Sequence, residues 1–172
     1  MNERYLYRGK TKPDGEWIYG GHMYVESLDR HIIVEHDGCK QFSDECFGFS
    51  AVIPETVGQC TGLKDKNGKL IFEGDVLKQK TTPEFAKVNS FKWELYGIVR
   101  FGNYDWNAGK IGYESVGYYI EPLKDVAINP PNYNVGHIQS GLSQCDVINK
   151  YYPMEIIGNI HDNTPDLLEV EK

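Results

Sequence analysis

The sequence predicts a mainly β protein, in full a β-rich α+β fold with one or two short helices. Three observations carry that reading. Aromatic residues make up 13% of the chain, 12 of them tyrosines, and 18 glycines break it into short runs; aromatics favour strands and glycines punctuate turns. Apolar and polar residues alternate with the period of a half-buried strand in Phe91-Lys92-Trp93-Glu94-Leu95-Tyr96. Asn67-Gly68 stands between Leu63 and the apolar run Leu70-Ile71-Phe72, and Asn-Gly accepts the positive φ angles of a type I′ hairpin turn.

Taken in order, Tyr5 to Arg8 begins a first strand, and Lys12-Pro13-Asp14-Gly15 supplies a turn in which Pro presets one φ and Gly takes a positive one. Glu16 to Tyr19 follows, with Trp17 and Tyr19 on one face and Ile18 on the other. These aromatics are expected to pack in the core, with ligand stacking as the alternative. Met23-Tyr24-Val25 and Ile32-Ile33-Val34 complete an antiparallel meander over residues 1–54, closed on its apolar side by Phe42, Phe47, Phe49 and Val52-Ile53-Pro54. Residues 55–172 form the second module, expected as a small SH3-like barrel with inserted loops at about 78–95 and 121–153. It opens with the Asn67-Gly68 hairpin, turns a tight corner at Glu73-Gly74-Asp75, and continues into Val76-Leu77. Pro83 to Val88 is read as a short helix or a loop. The glycines at 102, 109, 112 and 117 predict a loop around the aromatic tip Tyr104-Asp105-Trp106, with Val116 to Ile120 returning as a strand. Ser143 to Tyr152 includes a candidate helix, Met154 to Ile160 a strand, and Thr164-Pro165-Asp166 a final capped turn.

Three blocks of the chain resemble the YopX family of phage and prophage proteins. They are Tyr7-Arg8-Gly9-Lys10 with Gly15-Glu16-Trp17-Ile18-Tyr19-Gly20, then Thr56-Val57-Gly58-Gln59 through Gly74-Asp75-Val76, then Glu155-Ile156-Ile157-Gly158-Asn159-Ile160-His161-Asp162-Asn163. The resemblance implies a small phage-encoded protein and a shared fold, and it transfers no catalytic residues. Within these blocks Trp17, Asn67, Gly68, Gly74, Asp75, Gly158 and Asn159 are the structural motif positions.

The net charge is −7, from 18 basic and 25 acidic side chains, so the molecular field repels a phosphate backbone. Nucleic-acid binding is demoted, although Lys64, Lys66, Lys69, Lys78 and Lys80 cluster around the hairpin. The plainer role for these lysines is to blunt exposed strands against edge pairing. No stretch reaches the roughly 20 apolar residues of a membrane span, and Met1-Asn2-Glu3-Arg4 lacks a signal-peptide core. A cytoplasmic location in a bacterial host is therefore expected. Cys39, Cys46, Cys60 and Cys145 are expected as free thiols.

Enzyme signatures such as a P-loop, a G-x-S-x-G elbow and H-E-x-x-H are absent from the sequence. Two constellations could hold a metal: His31, His36, Cys39 and Cys46, whose spacings suit zinc poorly, and Glu73 and Asp75 with His161 and Asp162, which could serve phosphoester hydrolysis. Ordinary turn chemistry accounts for the second set equally well. The sequence thus favours a non-enzymatic protein with no cofactor, acting by contacts with a host or phage protein and by homo-oligomerisation. Lys64, Lys66, Lys69, Tyr104 and Trp106 are its candidate interaction residues. The alternatives are a nucleic-acid-associated SH3-like module and a metal-dependent hydrolase.

Overall fold

A computed structural model of the chain describes residues 3–35, 48–80, 82, 83, 87, 92–107, 112–128, 140, 141 and 153–162. These residues are mostly strand and fall in two compact units, Met1–Gly62 and Leu63–Lys172. The mainly β expectation holds, but the described strands lie in two antiparallel sheets and do not close into the expected SH3-like barrel. Among the described residues no helix is long and apolar enough to cross a membrane.

The first unit is built on β1 (Tyr7–Lys10), β2 (Trp17–Val25), β3 (Arg30–Glu35) and β4 (Phe49–Ala51), joined in sequence as a meander, with the runs Glu16–Tyr19 and Met23–Val25 united through Gly20 and Gly21 in the one strand β2 rather than forming two. The turn before β2 forms as its residues dictate. Gly15 takes φ +70, its N–H donates to the Thr11 carbonyl, and Thr11 N–H donates to the Glu16 carbonyl. Past β4 the chain curls back: Val52 bridges to Thr11, and Ile53 N–H donates to the Lys10 carbonyl at 2.8 Å. This curl sets the inner face. Ile33 and Val52 on that side are fully buried, and each such aliphatic stabilises the fold by about 1.5–3 kcal/mol. β5 (Gly58–Lys64) adds to the free side of β1 through the pairs Tyr7–Gln59 and Arg8–Gly58.

In the second unit β6 (Leu70–Phe72), β7 (Asp75–Lys80), β8 (Lys92–Asn107), β9 (Gly112–Ile128), β10 (Ser140–Gly141) and β11 (Met154–Asn159) follow in chain order. The sheet order is β10-β9-β8-β7-β11. Ile71, Leu77, Val99, Ile120 and Met154 form its buried cluster, with Leu63, Tyr118 and Ile156 packed against it. Its largest feature differs from the sequence reading: β8 and β9 stay paired from Lys92–Ile128 to Asn107–Gly112. The segment expected as a glycine-rich loop is thus the far end of one long hairpin, with Gly102 directly opposite Gly117. A register shift interrupts the β8–β9 pairing between Tyr96 and Gly97. Pro83 and Lys87 have helical backbone, and the remainder of the Pro83 to Val88 segment lies outside the described residues. The helices expected in 143–152 and after Thr164 lie outside the described residues.

The Asn67-Gly68 hairpin forms, but with a different turn. Gly68 N–H donates to the Asp65 carbonyl at 3.0 Å, only Gly68 of these four has positive φ (+81), and Asp65 N–H donates to the Lys69 carbonyl. This is a type I turn with Asp at its first position and a glycine bulge at its fourth, not type I′. The Asp65 carboxylate is the reason. One oxygen accepts the N–H groups of Asn67 (2.8 Å) and Lys69 (2.9 Å), and the other accepts Ile156 N–H at 3.3 Å. The turn therefore covers the outer edge of β11, where Lys66 N–H also donates to the Met154 carbonyl.

Burial raises the proton affinity of the Asp65 carboxyl, but the N–H donors of Lys69, Ile156 and Asn67 outweigh it and hold the group below its usual range. A depressed folded-state value contributes stability that is present above the unfolded value, near 3.9, and is lost as pH falls through the folded one. Asp65→Asn is expected to cost about 1–2 kcal/mol at neutral pH through the lost charge-assisted bonds. In urea titrations the gap between the two proteins should hold above about pH 4 and close below it; a gap unchanged down to pH 2 would refute this role.

Candidate functional site

The site begins with the alternation in β2. Trp17, Tyr19, Gly21 and Met23 point to the side of the sheet opposite Ile18 and His22. Cross-strand pairing then fixes their neighbours: Trp17 lies opposite Lys10, Tyr19 opposite Arg8, Gly21 opposite Val34 and Met23 opposite Ile32, while Phe49 lies opposite Val34 on the far strand. This is the outer face of the curled sheet. Tyr19, Met23 and Phe49 are 45%, 49% and 66% exposed, so three large apolar side chains of one face meet solvent. Between them Gly21 leaves a floor, since a Cβ built there meets no atom within 4 Å. At one end the Arg8 guanidinium lies 4.7 Å from the Trp17 ring centroid and Lys10 Nζ 5.3 Å from it, a cation–π arrangement worth about 0.5–2 kcal/mol according to its desolvation.

The sequence expectation of core packing for this strand meets a mixed outcome: Trp17 is half-buried and flanked by cations, whereas Tyr19 is exposed. Phe49, expected to close the apolar side, instead projects outward, because its register with Val34 places it on the outer face, while Val52 takes the buried position. Phe42 and Phe47 lie outside the described residues.

The predicted lysines sit on the β5–β6 hairpin. Lys64 and Lys69 are exposed, while Lys66 Nζ is 2.7 Å from a Glu155 carboxylate oxygen, a surface pair that ties the turn to β11. Tyr104 and Trp106 lie in β8, opposite Ser115 and Tyr113, rather than in a loop.

The second and third family-like blocks meet in a buried corner. Gly74 takes φ +82, its N–H donates to the Val99 carbonyl, and its own carbonyl accepts Ile160 N–H. Asp75, 1% exposed, accepts Phe72 N–H on one oxygen (2.8 Å) and the Asn159 side-chain amide on the other (3.4 Å). Asn159 lies opposite Asp75 in the ladder and accepts His161 N–H at 2.9 Å, just past the register shift between Ile156 and Gly158. These bonds tie the β6–β7 corner to β8 and to the end of β11. Glu73 sits beside the corner; burial raises its carboxyl above the usual value, and the Phe101 backbone and Arg100 oppose that only in part.

Among the described residues no group of three or more His, Cys, Asp or Glu side chains is placed to hold a metal. Of the first metal constellation, His36, Cys39 and Cys46 lie outside the described residues. His31 instead meets His22, a partner the sequence reading missed because it searched downstream of His31 rather than across the β2–β3 turn. Cys60 is buried outside any disulfide, and its Sγ accepts Gly62 N–H at 3.4 Å.

Fold and site together define a strand-built protein whose recognisable sequence blocks form buried corners and turns, and whose first sheet turns an aromatic face outward. The chain belongs to the YopX family: the family profile described as "YopX protein" matches residues 6–169. Comparisons with curated proteins and with solved structures give no match.

Proposed function

We propose that this protein is a non-enzymatic phage accessory protein that works in the host cytoplasm through protein contacts, and that it self-associates through the outer face of its first sheet. The observation that carries the reading is the exposure of Tyr19, Met23 and Phe49 around the open floor at Gly21. Contiguous exposed apolar surface of this kind marks a contact site, and aromatic side chains anchor such contacts. The occupant is a second copy of the chain. Closed homo-oligomers are the usual assemblies of soluble chains. The phage setting follows from the family resemblance.

The alternatives gain less support. A nucleic-acid role for the hairpin loses much of its cationic character where Lys66 is neutralised by Glu155. A hydrolase built on Asp75 would have to release a carboxylate that already holds Phe72 and Asn159.

The test is light-scattering mass over a dilution series for the intact chain, for Tyr19→Ser/Met23→Ser/Phe49→Ser, and for Lys64→Ser/Lys66→Ser/Lys69→Ser. The first triple variant is expected to weaken self-association at least tenfold, because truncating central anchors costs about 2 kcal/mol or more; the lysine variant is expected to keep its mass. An aromatic-face variant that assembles like the unaltered chain would overturn the assignment of this face.

A further inference from the structure

On the inner side of the first sheet, away from the aromatic face, two imidazoles converge. His22 lies in β2 opposite Ile33 and His31 lies in β3 opposite Tyr24, so the two are diagonal neighbours on one face. His22 Nε2 stands 2.9 Å from His31 Nδ1, with the rings stacked at a centroid distance of 5.1 Å and an interplanar angle of 22°. A tyrosine packs on each outer side: Tyr7 lies 5.3 Å from His22 and Tyr24 lies 5.0 Å from His31. Tyr24 is itself held, because its hydroxyl donates to Asp29 at 2.8 Å, and Asp29 occupies the left-handed conformation (φ +47) that ends the turn between the strands.

We propose that His22 and His31 form a two-nitrogen site for a divalent transition-metal ion. Two nitrogens each about 2.0–2.1 Å from a common ion lie about 2.9 Å apart when they subtend a right angle, and adjacent positions of this kind suit Ni2+ and Cu2+, which favour square and octahedral arrangements. The separation found between His22 Nε2 and His31 Nδ1 therefore needs little change on binding. What must change is the proton. In the free pair one of these two nitrogens carries the hydrogen of the His–His bond; on binding, each ring holds its proton on its other nitrogen, Nδ1 of His22 and Nε2 of His31, and both lone pairs turn to the ion. No proton is gained or lost overall when both rings start neutral. Both rings are only half-buried, which leaves room for water at the remaining positions of the ion. Burial, then the neighbouring His31, lowers the pKa of the His22 imidazole from its ordinary value.

The experiment is calorimetric titration of the intact chain with NiCl2 at neutral pH, repeated on His22→Gln, His31→Gln and His161→Gln. The expected result is a Ni2+ site whose affinity falls at least tenfold in each of the first two variants and is kept in the third. Proton–nitrogen spectra of the imidazoles in the unaltered chain give a reading that does not depend on the variants folding: the His22 and His31 signals should respond first as Ni2+ is added. Undiminished Ni2+ affinity in His22→Gln or His31→Gln, or imidazole signals of this pair that stay fixed while other histidines respond, would overturn the site and leave the pair as a packing contact.

Discussion

Gly20→Ala is expected to destabilise the protein by about 3 kcal/mol or more, at the upper end of what forced overpacking costs. A Cβ at this position would lie 1.9 Å from the Val34 carbonyl oxygen and 2.6 Å from its carbon, both backbone atoms of the paired strand. No rotamer change relieves such a contact, so β2 and β3 must separate where the inner and outer faces are defined. The adjacent glycine supplies the control. At Gly21 an added Cβ meets nothing within 4 Å, and Gly21→Ala should shift stability by less than about 1 kcal/mol in either direction. Urea unfolding midpoints of the two variants decide the matter, and comparable losses for both would show that the close approach of β2 to β3 is not what demands glycine.

Asp75→Ala is the second large effect, expected at about 3 kcal/mol. Removing the carboxylate strands the Phe72 N–H and the Asn159 amide in a site from which water is excluded, and a buried group left without its partner costs more than the bond itself contributes. The loss should follow in Asn159→Ala, and the double variant should lose less than the sum, since both act on one bond network. Strictly additive losses in the double-mutant cycle would show that the two residues stabilise the corner independently. The predicted loss is one of folding stability, read in metal-free buffer, whereas a hydrolase centred on Asp75 would show loss of bound divalent metal as the primary defect.

How far the sequence revealed this structure can be argued residue by residue. The meander was legible because Met23-Tyr24-Val25 and Ile32-Ile33-Val34 are short strand-forming runs and Pro13-Gly15 marks the first turn by local chemistry. The hairpin at Asn67-Gly68 was legible and its turn type was misread: the Asp65 carboxylate accepts the N–H groups of Asn67 and Lys69, local bonds that favour a type I turn with Asp at its first position over the type I′ turn that Asn-Gly alone suggests. The long β8–β9 hairpin was hidden by its own glycines. Gly102 and Gly117 look like loop residues one at a time, and only pairing places them opposite each other within a continuous ladder. Phe49 and His22 were missed for the same reason, since the face of a strand residue is set by register with its neighbour, which neither residue's own surroundings in the chain encode. Tyr104 and Trp106 were expected at a loop tip and lie in β8 instead.

The central claim is that this chain acts by assembling with protein and not by chemistry or nucleic-acid binding. Native mass spectrometry of the protein taken from prophage-bearing host cells tests it most directly, because subunit number and every co-purifying molecule are read at once. The account predicts a homo-oligomer of the intact chain free of nucleic acid, which the Tyr19→Ser/Met23→Ser/Phe49→Ser variant reduces to smaller species. A monomer carrying DNA or RNA, unchanged by that variant, would contradict it.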